Sequence, residues 1–410
     1  MRRISGSNIE GSWHMMDVLI EGGEALIGSD LIDASIHVAD GRIAEVSSRS
    51  GSASVRLNSD GLIALPGIVD MHGDAFERQM MPRPGVDFPI DMALVDSDRQ
   101  AIANGITTVF HATTWSWEPG LRGTENAHRL LNAIEDMQPR LAADTRFHLR
   151  QETFNLDAEP TIAEWLAAGR VDLLAFNDHM HMTAASMSNP KKRARMVERS
   201  GLSESEFDKL VERVMARAGD VPASIARLAS IARDHGVPLL SHDDESPEQR
   251  YGFRELGIDI AEFPINEETA RSAIESGDFT VFGAPNVVRG GSHTGWTSAA
   301  DMVSKGLCSI LASDYYYPAP LHAAFLLAAD SILPLQQAWA LISGAPAAAT
   351  GLHDRGQIAA GKRADVILVD AREPLRPRVV AAVTGGRVVH LTEPERILSA
   401  IPALRRVEPA

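Results

Sequence analysis

Cysteine is almost missing from this chain: Cys308 stands alone among 410 residues. One thiol cannot close an internal disulfide, and such poverty fits a reducing cytoplasm. Cys308 itself lies in the apolar run Gly306-Leu307-Cys308-Ser309-Ile310-Leu311 and is expected in a core. Long apolar runs are missing too. No uninterrupted stretch reaches the roughly 18 apolar residues of a membrane span, and Met1–Gly6 lacks the apolar centre of a signal peptide. Positive charge is also short. The 39 Lys and Arg against 55 Asp and Glu leave a formal net charge of −16, which disfavours nonspecific nucleic-acid binding because phosphate contacts need a basic surface. A small anionic substrate is not excluded, since metal ions and a few local arginines reverse the sign inside a pocket. There is no internal repeat and no low-complexity linker.

The length suits one barrel domain of roughly 250–300 residues plus a smaller satellite. Just after Met15 and Met16, the opening segment alternates and turns: Asp17–Gly23, then Ala34–Ile43 with an Asp40-Gly41 hairpin signal. Gly356–Asp370 reads as turn then strand, and Val379–His390 as a strand pair around Gly385-Gly386. These two ends are expected to pair into one small β-sandwich, residues 14–60 and 351–400, flanking a barrel at 61–350. Between them strands and helices alternate, which argues for a parallel α/β sheet. The expected strands are Leu62–Val69, Thr107–Ala112, Arg146–Gln151, Val171–Phe176, Val237–Ser241, Ile258–Phe263, Thr280–Phe282 and Ser309–Ser313. Eight is the number that closes a (β/α)8 TIM-like barrel. Helices are expected at Thr124–Met137, Ile162–Ala168, Glu204–Ala218 and Ser224–His235, the third opened by a Ser203-x-x-Glu206 capping box. Asn189–Ser200, rich in Lys and Arg, reads as a mobile or solvated insertion.

The chemistry stands at the strand ends, where a barrel of this kind keeps its active site. Leu65-Pro66-Gly67-Ile68-Val69-Asp70-Met71-His72-Gly73-Asp74 ends an apolar strand in a His and an Asp two residues apart, which share one face. Glu152, His179, His242 and Asp314 each close a later apolar run. A lone strand-end histidine is most often a satisfied structural group, but six such groups on one expected rim are hard to explain that way. Nitrogen and oxygen ligands suit a divalent ion, zinc foremost with manganese or iron as alternatives, one or two per chain. His72 and Asp74 are expected to hold one ion and His179 and His242 a second, with Glu152 bridging. Asp314 is expected to ligate and to take a proton from the attacking water. A bound divalent ion lowers the pKa of water from about 15.7 toward 7.

The neighbours leave choices open. Asp178 and Asp243 or Asp244 could orient the histidines or lie solvated. His181 competes with His179, which is preferred for its place directly after the apolar run. His111 reads as a barrel-mouth residue, and Trp115 and Trp117 as either pocket lining or loop packing. Arg83, set between two prolines, Arg150 on the rim, and Arg289 in the Gly-rich loop 283–293 are candidate substrate ligands, because guanidinium matches phosphate oxygens. His293, in the same loop, could donate to a leaving group. The expected partner is a small anionic molecule. A homo-oligomer is left open, with no interface signal in the sequence.

These residues resemble the amidohydrolase superfamily. They come closer to one branch, the alpha-D-ribose 1-methylphosphonate 5-triphosphate diphosphatases of carbon–phosphorus lyase pathways. The motifs that carry the resemblance are His72-Gly73-Asp74 with Pro82-Arg83-Pro84-Gly85, Gly105-Ile106-Thr107-Thr108-Val109, Ser241-His242-Asp243-Asp244, Ala261-Glu262-Phe263-Pro264, the 283–293 loop, and Ser313-Asp314-Tyr315-Tyr316. His-x-Asp in place of the usual His-x-His marks the branch. The resemblance implies water attack on phosphorus with release of diphosphate. The chain departs from the branch after His179, where Met180-His181-Met182-Thr183-Ala184-Ala185-Ser186 replaces a Pro-Gly-Gln-Arg-Gln-like stretch. The metal chemistry carries over. The substrate stays open among a ribose triphosphate, an amide, cyclic amide or deamination substrate, and a non-catalytic ligand of the same barrel.

Overall fold

A computed structural model describes residues 17–48, 53–83, 85–291 and 297–398. His293 and Pro84 lie outside the described residues. Eight parallel strands follow one another in chain order around the barrel. They are Ile68–Gly73, Ile106–Trp115, Asp144–Glu152, Leu173–Asn177, Leu239–His242, Ile260–Glu262, Phe279–Gly283 and Ile310–Ala312. Their residues are almost all buried, as expected of strands covered on both faces. Val69, Met71, Phe110, Leu173, Ala175, Leu240, Ile260, Val281, Ile310 and Ala312 form one core cluster drawn from seven of the eight strands. The third strand adds the buried polar residues His148, Arg150 and Glu152 instead.

The barrel closes between the eighth strand and the first. A parallel bridge joins Gly73 to Asp314. Asp314 N–H donates to His72 O and Asp74 N–H donates to Asp314 O, both at 2.9 Å. Below this seam Asp70, fully buried, accepts from Ser313 N at 2.9 Å and Ser313 Oγ at 2.5 Å.

The sandwich draws on both chain ends. One sheet holds Val18–Glu21, Ser35–Ala39, Arg42–Ser47 and Val55–Asn58. The other pairs Glu24–Ile27, Asp30–Asp33 and Ile63–Pro66 with Val366–Asp370, Arg378–Thr384 and Arg387–Leu391. Ile20, Ile36, Val38, Leu57, Val366, Leu368 and Val380 meet in the core between them. The strand expected over Leu62–Val69 is divided at Gly67: Ile63–Pro66 joins the sandwich and Ile68 starts the barrel. Gly67 is pressed against the Thr107 side chain with no room for a Cβ, so the chain changes sheets where only glycine fits.

Among the helices, Thr124–Met137 has the expected bounds, and Ser203 and Glu206 form the expected capping box on Glu204–Met215. The segment Asn189–Ser200, expected as a mobile or solvated insertion, forms a helix over Pro190–Ser200 with most of its described residues exposed. Met196 and Val197 pack on the cluster around Phe207, while Arg193 pairs with Glu204 and Asp208. The basic composition masked an amphipathic face. Cys308 is buried, as expected.

A buried ionic group lies beneath the fifth strand. Arg250, 1% exposed, donates to Ser241 Oγ at 2.5 Å and Asp244 Oδ2 at 3.1 Å, donates to Ile258 O, and sits 3.3 Å from Asp278. Asp244 therefore anchors its own strand end and does not orient a histidine. Replacing Arg250 with Met leaves Asp244 without its guanidinium in a dry interior. The expected loss is about 3–5 kcal/mol of unfolding free energy, read by urea denaturation; a loss below about 1 kcal/mol, the scale of an exposed ion pair, would contradict this account.

Candidate active site

The C-terminal mouth of the barrel gathers imidazoles and carboxylates into three overlapping groups: His72, Asp74 and Asp314; His179, His242 and Asp243; His72, His242 and Glu262. Within each group the ligand atoms lie within 4.8 Å of one another. Five of the six residues expected from the sequence fall in these groups. Glu152 contacts His179 alone among the candidate ligands. His179 Nδ1 donates to Glu152 Oε1 at 2.6 Å, and the His179 backbone N–H donates to Oε2 at 3.2 Å.

The carboxylate shared by two imidazoles is Glu262, which the residue-by-residue reading passed over. It is fully buried at the end of the sixth strand, with Oε1 2.6 Å from His72 Nδ1 and Oε2 2.9 Å from His242 Nδ1. A charged carboxylate only accepts, so both Nδ1 atoms carry hydrogens and both Nε2 atoms keep lone pairs. The signal was present: a strand-end acid after Ile260-Ala261, on the same rim as the others. Asp243, named only as a candidate orienting group, sits 3.5 Å from His179 Nε2 and 3.6 Å from His242 Nε2.

Arg150 fixes the second tautomer independently. Its Nη2 donates to His242 Nε2 at 3.0 Å, and a guanidinium never accepts, so Nε2 there is unprotonated. Asn177, with its amide turned so that Oδ1 faces the guanidinium, accepts from Arg150 Nε at 3.1 Å and Nη2 at 3.2 Å. Arg150 Nη1 lies 3.8 Å from Asp74.

Backbone geometry aims the carboxylates. Among the described residues only five other than glycine have positive φ, and three stand on this rim: Asp243 (58°), Phe263 (55°) and Asp314 (53°). Each costs roughly 1–2 kcal/mol against ordinary backbone. Each is held by an N–H bond to the neighbouring strand, to Glu262 O at 2.8 Å, Val281 O at 2.9 Å and His72 O at 2.9 Å.

The electrostatics call for cations. Burial lowers His72 to about 3 and pushes His242 well below its ordinary value, so both are neutral at pH 7. Burial also acts to lower His179, but Glu152 and Asp243 override it and raise the group to about 9. Burial, reinforced by the charge on Asp74, lifts Asp314 to about 7. Several carboxylates thus crowd two neutral imidazoles around one guanidinium. This donor set fits one or two divalent ions, which take imidazole nitrogen and carboxylate oxygen and relieve the repulsion.

The other expected residues separate cleanly. His181, 69% exposed in its side chain, lies 3.4 Å from Asp178 and outside the ligand groups. Asp178 caps the following helix through Met180 N at 3.1 Å. His111 is buried against Phe76. Trp115 packs on Trp165, whereas Trp117 lines a cavity beside His179. Arg83 and Arg289 are exposed and do not line the cavity that holds the ligand groups; Arg289 donates to Tyr315 Oη at 3.3 Å.

Known proteins share this architecture. The pattern of the amidohydrolase family matches residues 90–390. The alpha-D-ribose 1-methylphosphonate 5-triphosphate diphosphatase of Escherichia coli (strain K12) is 31% identical over 362 residues, covering 87% of this chain and 96% of that protein. Among solved structures, dihydropyrimidinase from Brevibacillus agri NCHU1002 superposes with a TM-score of 0.63 at 13% identity, over 92% of this chain and 95% of the other. N-isopropylammelide isopropylaminohydrolase from Burkholderia multivorans ATCC 17616 does so with 0.61 at 20% identity, over 92% and 98%. At such identities the two structures speak for the fold alone. The family pattern, the relative and the ligand groups agree: this chain belongs to the amidohydrolase family and is a metal-dependent hydrolase.

Proposed function

We propose that this hydrolase cleaves a phosphoanhydride, releasing diphosphate from a ribose 1-phosphonate 5-triphosphate, in the cytoplasm. The observation that carries the reading is the placement of Asp314 between His72 and Asp74 on a rim shared with Arg150, in a chain 31% identical to a diphosphatase. His72, Asp74 and Asp314 would hold one divalent ion, zinc foremost, and His179, His242 and Asp243 a second. Bound there, such ions supply Lewis acidity that ionises water and polarises a phosphoryl oxygen.

The chain's own groups do the rest. Glu262 fixes the rings of His72 and His242, and Glu152 fixes that of His179, so that their lone pairs stay aimed. Asp314 takes the proton of the attacking water on a carboxylate oxygen. Gly283 leaves that carboxylate its space, since a Cβ there would stand 3.2 Å from Asp314 Oδ2. Arg150, buried and always charged, meets the negative charge that grows on the phosphoryl oxygens. Exposed Arg289 would contact the leaving diphosphate and Arg83 the outer part of the substrate, while His293, expected to donate to the leaving group, lies outside the described residues.

A second reading, hydrolysis of an amide or cyclic amide, is favoured by one observation. Met180–Ser186 forms a short helix that brings Met182 to the cavity wall, where a run of basic and amide side chains would suit a triphosphate better. A panel of ribose triphosphates, N-acyl amino acids and cyclic amides decides between the two. Release of diphosphate is expected, and turnover of the amides alone would overturn the reading.

Asp314→Asn is expected to lower kcat at least about 100-fold, the lower range for loss of a general base, with the fold intact by circular dichroism. Chelation should abolish turnover and added Zn²⁺ or Mn²⁺ restore it; activity that survives exhaustive chelation would contradict the metal assignment. Glu262→Gln should weaken metal binding about 10–100-fold, as measured by competition with a chromogenic chelator.

A further inference from the structure

A second chamber, about 290 Å³, opens beside the ligand groups and shares His179 and Met182 with their cavity. One wall is apolar, made by Trp117, Met182 and Met196. Polar groups, among them Thr114, Glu118 and Arg122, complete the lining. Thr114, at the mouth of the second strand, is 3% exposed, and its hydroxyl has no hydrogen-bond partner. A buried hydroxyl left unpaired costs about 1–3 kcal/mol, so a structure retains one where something else completes it.

The charges in the chamber say what that something is. Arg122 donates to Glu77 through Nε at 3.2 Å and Nη2 at 3.0 Å, so its charge is already matched. Glu118 and Glu152 add two carboxylates to the lining. A phosphoryl group placed here would lie beside both acids, and the cations of the lining, Arg122 and His179, are already paired with Glu77 and Glu152. A neutral ring bearing hydroxyls suits every wall: its hydroxyls meet Thr114 and the carboxylates, and its C–H face meets the indole and thioethers.

We infer that this chamber is the subsite for the sugar ring of the substrate, with Thr114 as a specificity-determining residue, while the phosphoryl groups lie in the neighbouring cavity with Arg150. The inference rests on the ribose triphosphate reading proposed above. It explains how a chain without the basic stretch after His179 still orients such a molecule: the ring is held on one side of His179 and the anhydride on the other.

The test compares ribose 5-triphosphate with inorganic triphosphate on metal-loaded enzyme. In Thr114→Val the ratio of kcat/KM for the two should fall about 3–10-fold, the worth of one neutral hydrogen bond, chiefly through KM for the sugar-bearing compound. Thr114→Ser, which keeps the hydroxyl, should restore the ratio. An unchanged ratio in Thr114→Val overturns the subsite and leaves the diphosphatase reading standing. Should wild-type enzyme cleave neither compound, that reading falls, and saturation-transfer NMR with D-ribose decides the subsite separately. Transfer to ribose protons that Thr114→Val removes supports it; transfer that survives the substitution, or none in wild type, overturns it.

Discussion

Two backbone hydrogen bonds, from Asp314 to His72 and from Asp74 back to Asp314, hold the candidate centre together. They close the barrel, and in doing so they set a carboxylate between the two ligands of the first strand. Asp314 adopts a left-handed backbone to make this seam, and Asp70 with Ser313 locks the strands just beneath it. Closure of the fold and assembly of the site are therefore the same event. The strain at Asp314 persists because the surrounding hydrogen bonds over-determine it.

The rim's charges follow from that geometry. Once the strands converge, burial removes water from His72, His242 and Asp314, leaving the imidazoles neutral and the acid reluctant to ionise. Glu262 behind two rings and Glu152 behind the third hold each ring in a fixed direction. Neutral, oriented imidazoles beside crowded carboxylates are poor company for one another and good ligands for a divalent cation. The same arrangement that would destabilise a bare interior is what a metal-dependent hydrolase uses.

Relatives on this scaffold carry different names, a dihydropyrimidinase and an aminohydrolase among the solved structures and a diphosphatase by sequence. The barrel is common ground, and on a shared fold the choice of bond falls to side chains at the site. In this chain the segment after the fourth strand, Met180–Ser186 with Pro190–Ser200, supplies thioethers to the cavity walls.

Much of this was legible in the order of residues. Apolar runs of strand length, most of them ending at or just before His, Asp or Glu, predict a parallel barrel and the identity of its rim, because burial on both faces leaves a continuous hydrophobic pattern and the exit point is local. Cys308, the Ser203–Glu206 capping box and the sandwich shared by both ends follow from equally local rules. Glu262 escaped although it lies inside an expected strand, because nothing local tells a buried acid from a solvated one. Asp243 and Asp244 are adjacent, yet one faces two histidines and the other a buried arginine; the left-handed turn at Asp243 and the contact with Arg250 decide this, and neither is written in sequence spacing. The helix at Pro190–Ser200 depends on a hydrophobic cluster assembled from residues elsewhere in the chain. Sequence alone determined which chemical groups reach the mouth of the barrel, since alternation and strand ends are short-range properties. Tertiary structure alone decided which groups share a cation, which brace a ring and which pair in the core, because those partnerships join residues far apart in the chain, Asp70 and Ser313 by 243 positions.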